Sequence, residues 1–294
     1  MTILEVTFRF DGGTADEHAI DLYDIGQALI GFERSLALTT HLVLNNEIIT
    51  QAPSLRGAKI FAYPSKEGSW ELTAAILLLA AGGLYKLGVA PKDTPIGHVI
   101  RSAYDYVISN TLGFHVDYDK TLGQQLKQAH EQDRNIEVLP ESRFDSLVEK
   151  CDTAVREMHR PIYKSETAKS AQLVSRLATD VAQIGPTLTL ETYEYIAYTE
   201  RSKDTVELTG RVSSYNINTF KGRIYVEDYG RPIPFELSEN AQDSRTVALI
   251  TGSLDANAQR REDGEISFVA FENHSRSGRL KGLFIVEVTS AVQI

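Results

Sequence analysis

From Ile3 the chain alternates apolar and polar residues through Val6, Phe8 and Phe10, the period of a strand with one buried face. Asp11-Gly12-Gly13 tolerates positive φ, so a hairpin into a second short strand, Glu17 to Ile20, is predicted. At Asp21 the period changes. Leu22, Ile25, Leu29, Phe32, Leu36 and Val43 recur at helical spacing and predict a helix of about 23 residues, with Asp21 as N-cap and Asn45-Asn46 at its stop. Lys59 to Tyr63 and Ser69 to Leu72 read as strands, and the apolar run Thr73 to Leu87 as a buried helix. Pro95 and Gly113 frame another helix, since proline suits a first turn and glycine the residue past the end. Leu122 to Asp133, Glu141 to Met158 and Thr167 to Ile184 read as polar helices, broken at Pro140, Pro161 and Gly185-Pro186.

After Thr205 the period shortens to that of strands: Thr205 to Ser213, Phe220 to Glu227, Pro232 to Leu237, Glu265 to Phe271 and Lys281 to Val288. A short helix, Asn240 to Leu254, falls between the third and fourth. That order matches an OB-type barrel, with an SH3-like barrel as the alternative. The expected fold class is therefore α+β: an N-terminal sheet with long packed helices (1–120), a helical middle segment (121–200), and a C-terminal small five-stranded β-barrel (201–294).

Composition changes this picture little. Of 294 residues 42% are hydrophobic and 24% charged, ordinary globular usage that supports a real core. The net charge of −10 is spread along the chain, which disfavours a nucleic-acid coat and leaves room for a local basic site. A single cysteine, Cys151, excludes an intramolecular disulfide and a cysteine-based zinc site, and its helical setting predicts an inert thiol. No basic region precedes an apolar stretch at the N-terminus, so a cytoplasmic protein is expected. Leu72 to Tyr85 is apolar but short of the ~20 residues that cross a bilayer, so no stable membrane span is expected.

Two places could carry chemistry. In an OB barrel the loops joining strands one to two and four to five form the default ligand edge. Here they contribute Tyr215, Phe220, Lys221 and Arg223 from the first and Arg276, Arg279 and Lys281 from the second, with Arg260-Arg261 as an addition. Rings for bases and cations for phosphates are what a single-stranded oligonucleotide or nucleotide needs. The second place is Phe114-His115-Val116-Asp117-Tyr118-Asp119. In a strand, His115, Asp117 and Asp119 would share a face and could hold a divalent metal, the one cofactor these residues suggest. No P-loop, dinucleotide fingerprint or metalloprotease helix is present in the sequence.

Leu36-Ala37-Leu38-Thr39-Thr40-His41, Pro91-Lys92-Asp93-Thr94-Pro95, the His115 string and Val206-Glu207-Leu208-Thr209-Gly210-Arg211-Val212 together resemble a bacterial family of uncharacterised proteins. The resemblance implies an α+β domain followed by a five-stranded barrel and a bacterial or mobile-element origin, and carries no active residues; families of this kind often lie in phage-defence or anti-defence loci. The expected function is a non-enzymatic binding or assembly protein. Its N-terminal part would contact a protein partner or self-associate, and its barrel would bind an oligonucleotide, nucleotide or peptide. The alternatives are a metal-dependent hydrolase built on His115, Asp117 and Asp119, and a membrane-damaging effector built on residues 72–85.

Overall fold

The computed structural model describes residues 2–63, 70–80, 83–84, 94–259, 261–276 and 278–290. The chain forms two compact units, Met1–Ile196 and Ala197–Ile294. Residues 121–196 belong to the first, so the expected separate middle segment is part of the N-terminal domain.

The first unit is built on an antiparallel sheet. Its strands are β1 (Thr2–Asp11), β2 (Ala58–Tyr63), β3 (Trp70–Ala80), β5 (Ser170–Leu177) and β6 (Asp180–Leu188), in the order β2-β3-β1-β5-β6, with the short β4 (Gly83–Leu84) paired to β3. Leu4, Val6, Phe8 and Phe10 of β1 are fully buried against the helices, as their alternation requires. Phe8 stacks obliquely on Phe32 of α1 (Leu22–Asn45), ring centroids 5.2 Å apart. Asp21 caps α1 by accepting from the Tyr23 and Asp24 amides, and Asn46 ends it in a left-handed conformation. Three further helices complete the core: α2 (Pro95–Thr111), α3 (Leu122–Gln132) and α4 (Glu141–Glu157). Two short ones follow, α5 (Arg160–Tyr163) and α6 (Leu190–Ala197). Cys151 of α4 is buried, and burial pushes its thiol up to about 12.

Three expectations are corrected. β1 does not turn back into a hairpin: residues 13–17 form a 3-10 turn, and β1 instead pairs with β3 and β5, far away in sequence. The apolar run expected as a helix from Thr73 is strand as far as Ala80, with Tyr85 and Leu87 outside the described residues. Ala74, Ala75, Ile76 and Leu77 are all buried, so both faces of this central strand are covered and its sequence shows no alternation. Thr167 to Ile184 is not a helix but most of the β5–β6 hairpin. Its tight turn contains Ala178 at φ 53 rather than glycine or asparagine, so the usual turn signal is missing. Gly185-Pro186, read as a helix stop, sits in an irregularity of β6 opposite Ala171 and Leu173.

The second unit is a closed barrel. Its strands are β7 (Glu200–Asn216), β8 (Lys221–Val226), β9 (Arg231–Leu237), β10 (Ile266–His274) and β11 (Leu280–Ser290). Around the barrel they run β7-β8-β9-β11-β10 and back to β7. All neighbours are antiparallel except β9 and β11, where Leu283 to Ile285 pair in parallel with Phe235 to Leu237. Counted within the barrel the order is 1-2-3-5-4, with a helix, α7 (Ser244–Ala258), between the third and fourth strands. That is the OB arrangement rather than the SH3-like one. Gly210 is the pivot of the long β7, pairing with Ile266 on one side and Val226 on the other. A Cβ there would lie 2.4 Å from the Tyr225 carbonyl oxygen, so only glycine admits the bend. Val212, Ile224, Ile233, Phe268 and Ile285 fill the interior with Ile250 of α7.

Candidate ligand-binding end of the barrel

The strand directions decide where the loops go. The β7–β8 turn follows Asn216, paired with Lys221, and touches the end of β9, where the Leu237 amide donates to the Phe220 carbonyl. The β10–β11 turn lies at the other end of the barrel. There His274 pairs with Glu200 at the start of β7, and Arg231 at the start of β9 donates to the Leu280 carbonyl. The seven residues of β9 separate the two turns, roughly 20 Å at strand rise. The single edge expected from the sequence is therefore not formed.

The residues of the first turn serve the barrel itself. Tyr215 stacks on Phe235 of the core, centroids 6.2 Å apart, and its hydroxyl is buried without a partner. Phe220 packs against the same core. Arg223 is only 6% exposed, and Lys221 lies opposite Glu236 in register.

The second turn is different. Ser275 organises it: its amide donates to the Arg279 carbonyl, and its hydroxyl accepts from the Arg279 amide. Arg276 is exposed and holds its guanidinium 5.4 Å from the ring centroid of Tyr198, itself 43% exposed. Lys281 donates to the Tyr198 carbonyl (3.0 Å) and the Thr199 hydroxyl (2.7 Å), tying the turn to the start of β7. One strand over, Arg201 is exposed, lies 3.6 Å over the Phe284 ring and donates to the Asn273 side chain. Tyr229, from the β8–β9 turn, donates its hydroxyl to Glu272, and burial with that carboxylate pushes its pKa up to about 12. Arg201, Arg231, Arg276, Arg279 and Lys281 thus converge on one end, with Tyr198 and Phe284 beneath two of the guanidinium groups. Glu200 and Asp204, both exposed, are the acidic neighbours on β7.

Of the residues expected to bind, the structure brings Arg276, Arg279 and Lys281 together and leaves Tyr215, Phe220, Lys221 and Arg223 at the far end. It adds Tyr198, Arg201, Arg231 and Phe284. Arg201 was out of reach of pattern reading, because no apolar residue falls between Tyr198 and Val206 and the strand starts unseen. Arg261 is exposed and paired with Asp255 and Asp263, while Arg260 lies outside the described residues.

The His115 string is a loop, not a strand, so its alternate residues share no face. Asp117 accepts from the Lys120 amide and pairs with its ammonium at 2.9 Å, which holds the carboxyl below its usual range. Tyr118 turns inward and donates to the Leu139 carbonyl. Among the described residues no three His, Cys, Asp or Glu side chains are grouped to hold a metal, His115, Asp117 and Asp119 included. Among the same residues no helix is long and apolar enough to cross a membrane.

The fold and this end define an α+β domain followed by an OB-type barrel, the architecture that the resemblance implied. The chain belongs to the family of a domain of unknown function, DUF7946, whose model matches residues 6–197. A second model, DUF7947, a family of unknown function, matches residues 204–289, so the two divide where the structure does. No curated protein and no solved structure matches the chain.

Proposed function

We propose that this is a non-enzymatic binding protein whose barrel takes a single-stranded oligonucleotide at the β10–β11 end. The observation that carries the reading is the pair of cation–aromatic stacks, exposed Arg201 on half-buried Phe284 and Arg276 on exposed Tyr198, beside Lys281 and Arg231. Bases stack on ring and guanidinium faces, and the same cations meet the phosphates. Glu200, Asp204 and Glu272 lie among the five cations at this end, and the acidity of the rest of the chain is screened within ~10 Å at ordinary salt.

Fluorescence anisotropy with a labelled oligothymidine of roughly a dozen nucleotides, within the site size of an OB fold, tests this. Saturable binding that weakens with salt is expected. A flat titration at low salt removes the reading, and equal competition by a mononucleotide narrows it to a nucleotide site. A self-associating N-terminal domain is favoured by α1, which leaves Leu22, Tyr23 and Ile30 at 85%, 65% and 60% exposed. Native mass spectrometry showing only monomer at micromolar concentration would remove that part.

A further inference from the structure

The N-terminal domain carries two adjoining clefts outside the barrel site. One, of about 370 Å³, lies between α2, α3 and β6, and the other, of about 400 Å³, lies between α2 and α3. Gln125 lines both. Either volume falls within the range that takes a small ligand.

The chemistry of the walls is unusual in being polar but balanced. From α3 come Gln124, Gln125 and Gln128 in the first cleft and Gln132 with Ala129 in the second, while Leu122 and Leu126 of that helix are buried in the core. From α2 come Arg101, Ser102 and Asp105. The charges are already answered within the protein. Arg101 pairs with Asp180, and Lys120 with Asp117. Asp105 accepts from the Gly185 amide at 2.7 Å. Gly185 holds φ +61 there, and a Cβ would lie 2.5 Å from Ile108, so this contact is built into the backbone. An anion meets no surplus of positive charge. Among the described residues no Phe, Tyr or Trp lines either cleft, and the imidazole of His98 belongs to the second, so the first cleft gives a nucleobase no ring to stack on.

What remains is a row of amides and hydroxyls, each both donor and acceptor. The ligand groups that match them are likewise both donor and acceptor. The geometry points to a binding site for an uncharged saccharide, its hydroxyls held by Gln124, Gln125 and Gln128 against Ser102 and Asp105. An extended peptide also offers donors and acceptors, but its side chains need apolar pockets, and the first cleft offers only Val116, Ala182 and Ile184.

The test screens the full chain against an array of neutral glycans and measures hits by titration calorimetry. At least one saccharide is expected to bind, with Gln125→Leu weakening it roughly tenfold, the loss of one or two hydrogen bonds. Gln128→Ala, at an exposed position, gives the same direction should Gln125→Leu fold poorly. Arg276→Ala in the barrel is expected to leave saccharide binding unchanged. The proposal is overturned if no saccharide binds at about 10 mM, tenfold above a ~1 mM Kd. It is equally overturned if both glutamine variants bind within twofold of the parent, or if only peptides or nucleotides bind.

Discussion

Two glycines of α1, five residues apart, should respond to alanine with opposite signs. Both sit in a helix, where glycine is about 1 kcal/mol less favourable than alanine. At Gly26 an added Cβ meets nothing within 4 Å, so Gly26→Ala should realise most of that gain. At Gly31 the same carbon would lie 2.3 Å from the carbonyl oxygen of Ala154 in α4 and 3.3 Å from Cγ of Met158. Comfortable contact is about 3.5–4.0 Å, and the obstacle is backbone, so α1 and α4 must separate by more than ~1 Å. Overpacking of this kind costs about 1–3 kcal/mol, and the buried bond between Ser35 and the Tyr104 hydroxyl (2.9 Å) lies one turn along α1. Gly31→Ala is therefore expected to lose about 1–2 kcal/mol net, and the two variants to differ by about 2–3 kcal/mol. Urea unfolding followed through Trp70, the single tryptophan, reads the domain directly, because its ring packs edge-on against Phe10 in the core. Thermal midpoints should move by about 2–4 °C per kcal/mol in a domain of this size. If Gly31→Ala proves as stable as Gly26→Ala, the close crossing of α1 and α4 is wrong.

At the barrel end, Arg201→Ala and Arg276→Ala should each weaken oligonucleotide binding and lower the slope of log K against log salt by about 0.7. Lys221→Ala at the far end should do neither, and anisotropy at several salt concentrations separates the cases. Ser253 accepts from the Val212 amide (3.0 Å) and donates to the Gly264 carbonyl, both buried, so Ser253→Ala should cost the barrel about 1–3 kcal/mol in urea unfolding. Buried His159 donates from Nδ1 to the Val155 carbonyl and meets the Thr192 hydroxyl at Nε2, and burial lowers its pKa to about 4. The unfolded imidazole takes a proton near pH 6.5 and the folded one does not, so stability is full above that value and falls toward pH 4 by about 3 kcal/mol. His159→Gln should flatten that slope in unfolding midpoints measured between pH 7.5 and 4.5, and an unchanged slope would place the acid sensitivity elsewhere.

What could be read from the chain depended on whether an element shows one face to water. Helices α2, α3 and α4 keep a wet side, and α1, although buried all round from Ser35 to Val43, keeps one in its first turns and is marked by its caps. The boundaries of all four follow from period and caps to within a residue or two. β3 has no wet face over Ala74 to Leu77, and a continuous apolar run does not distinguish strand from helix. In β5, Ala171, Leu173 and Leu177 do point inward, but Ser175 occupies the intervening inward position and broke the apolar alternation. The reach of β1 to β5, more than 150 residues along the chain, has no local signature at all.

The barrel shows the same limit at the level of a site. Its five strands and its helix were legible because each is a half-buried element, with Gly230, Gly264 and Gly278 marking three of the connections. Which turns share an end was not, since that depends on strand direction rather than strand count. In the order found, each strand runs antiparallel to its neighbours except β9 beside β11, and this puts the β7–β8 and β10–β11 hairpins at opposite ends. The cations of the first hairpin then lie on a face where Arg223 is covered and Lys221 is met by Glu236. Those of the second join Arg201 and Arg231, which come from the starts of two other strands. A binding surface made by three strand ends has no sequence motif, because the residues that form it are neighbours only after the barrel closes. The comparison of Arg201→Ala with Lys221→Ala therefore tests which end of the closed barrel binds: a loss at Lys221 alone would return the site to the β7–β8 hairpin and refute the proposed end.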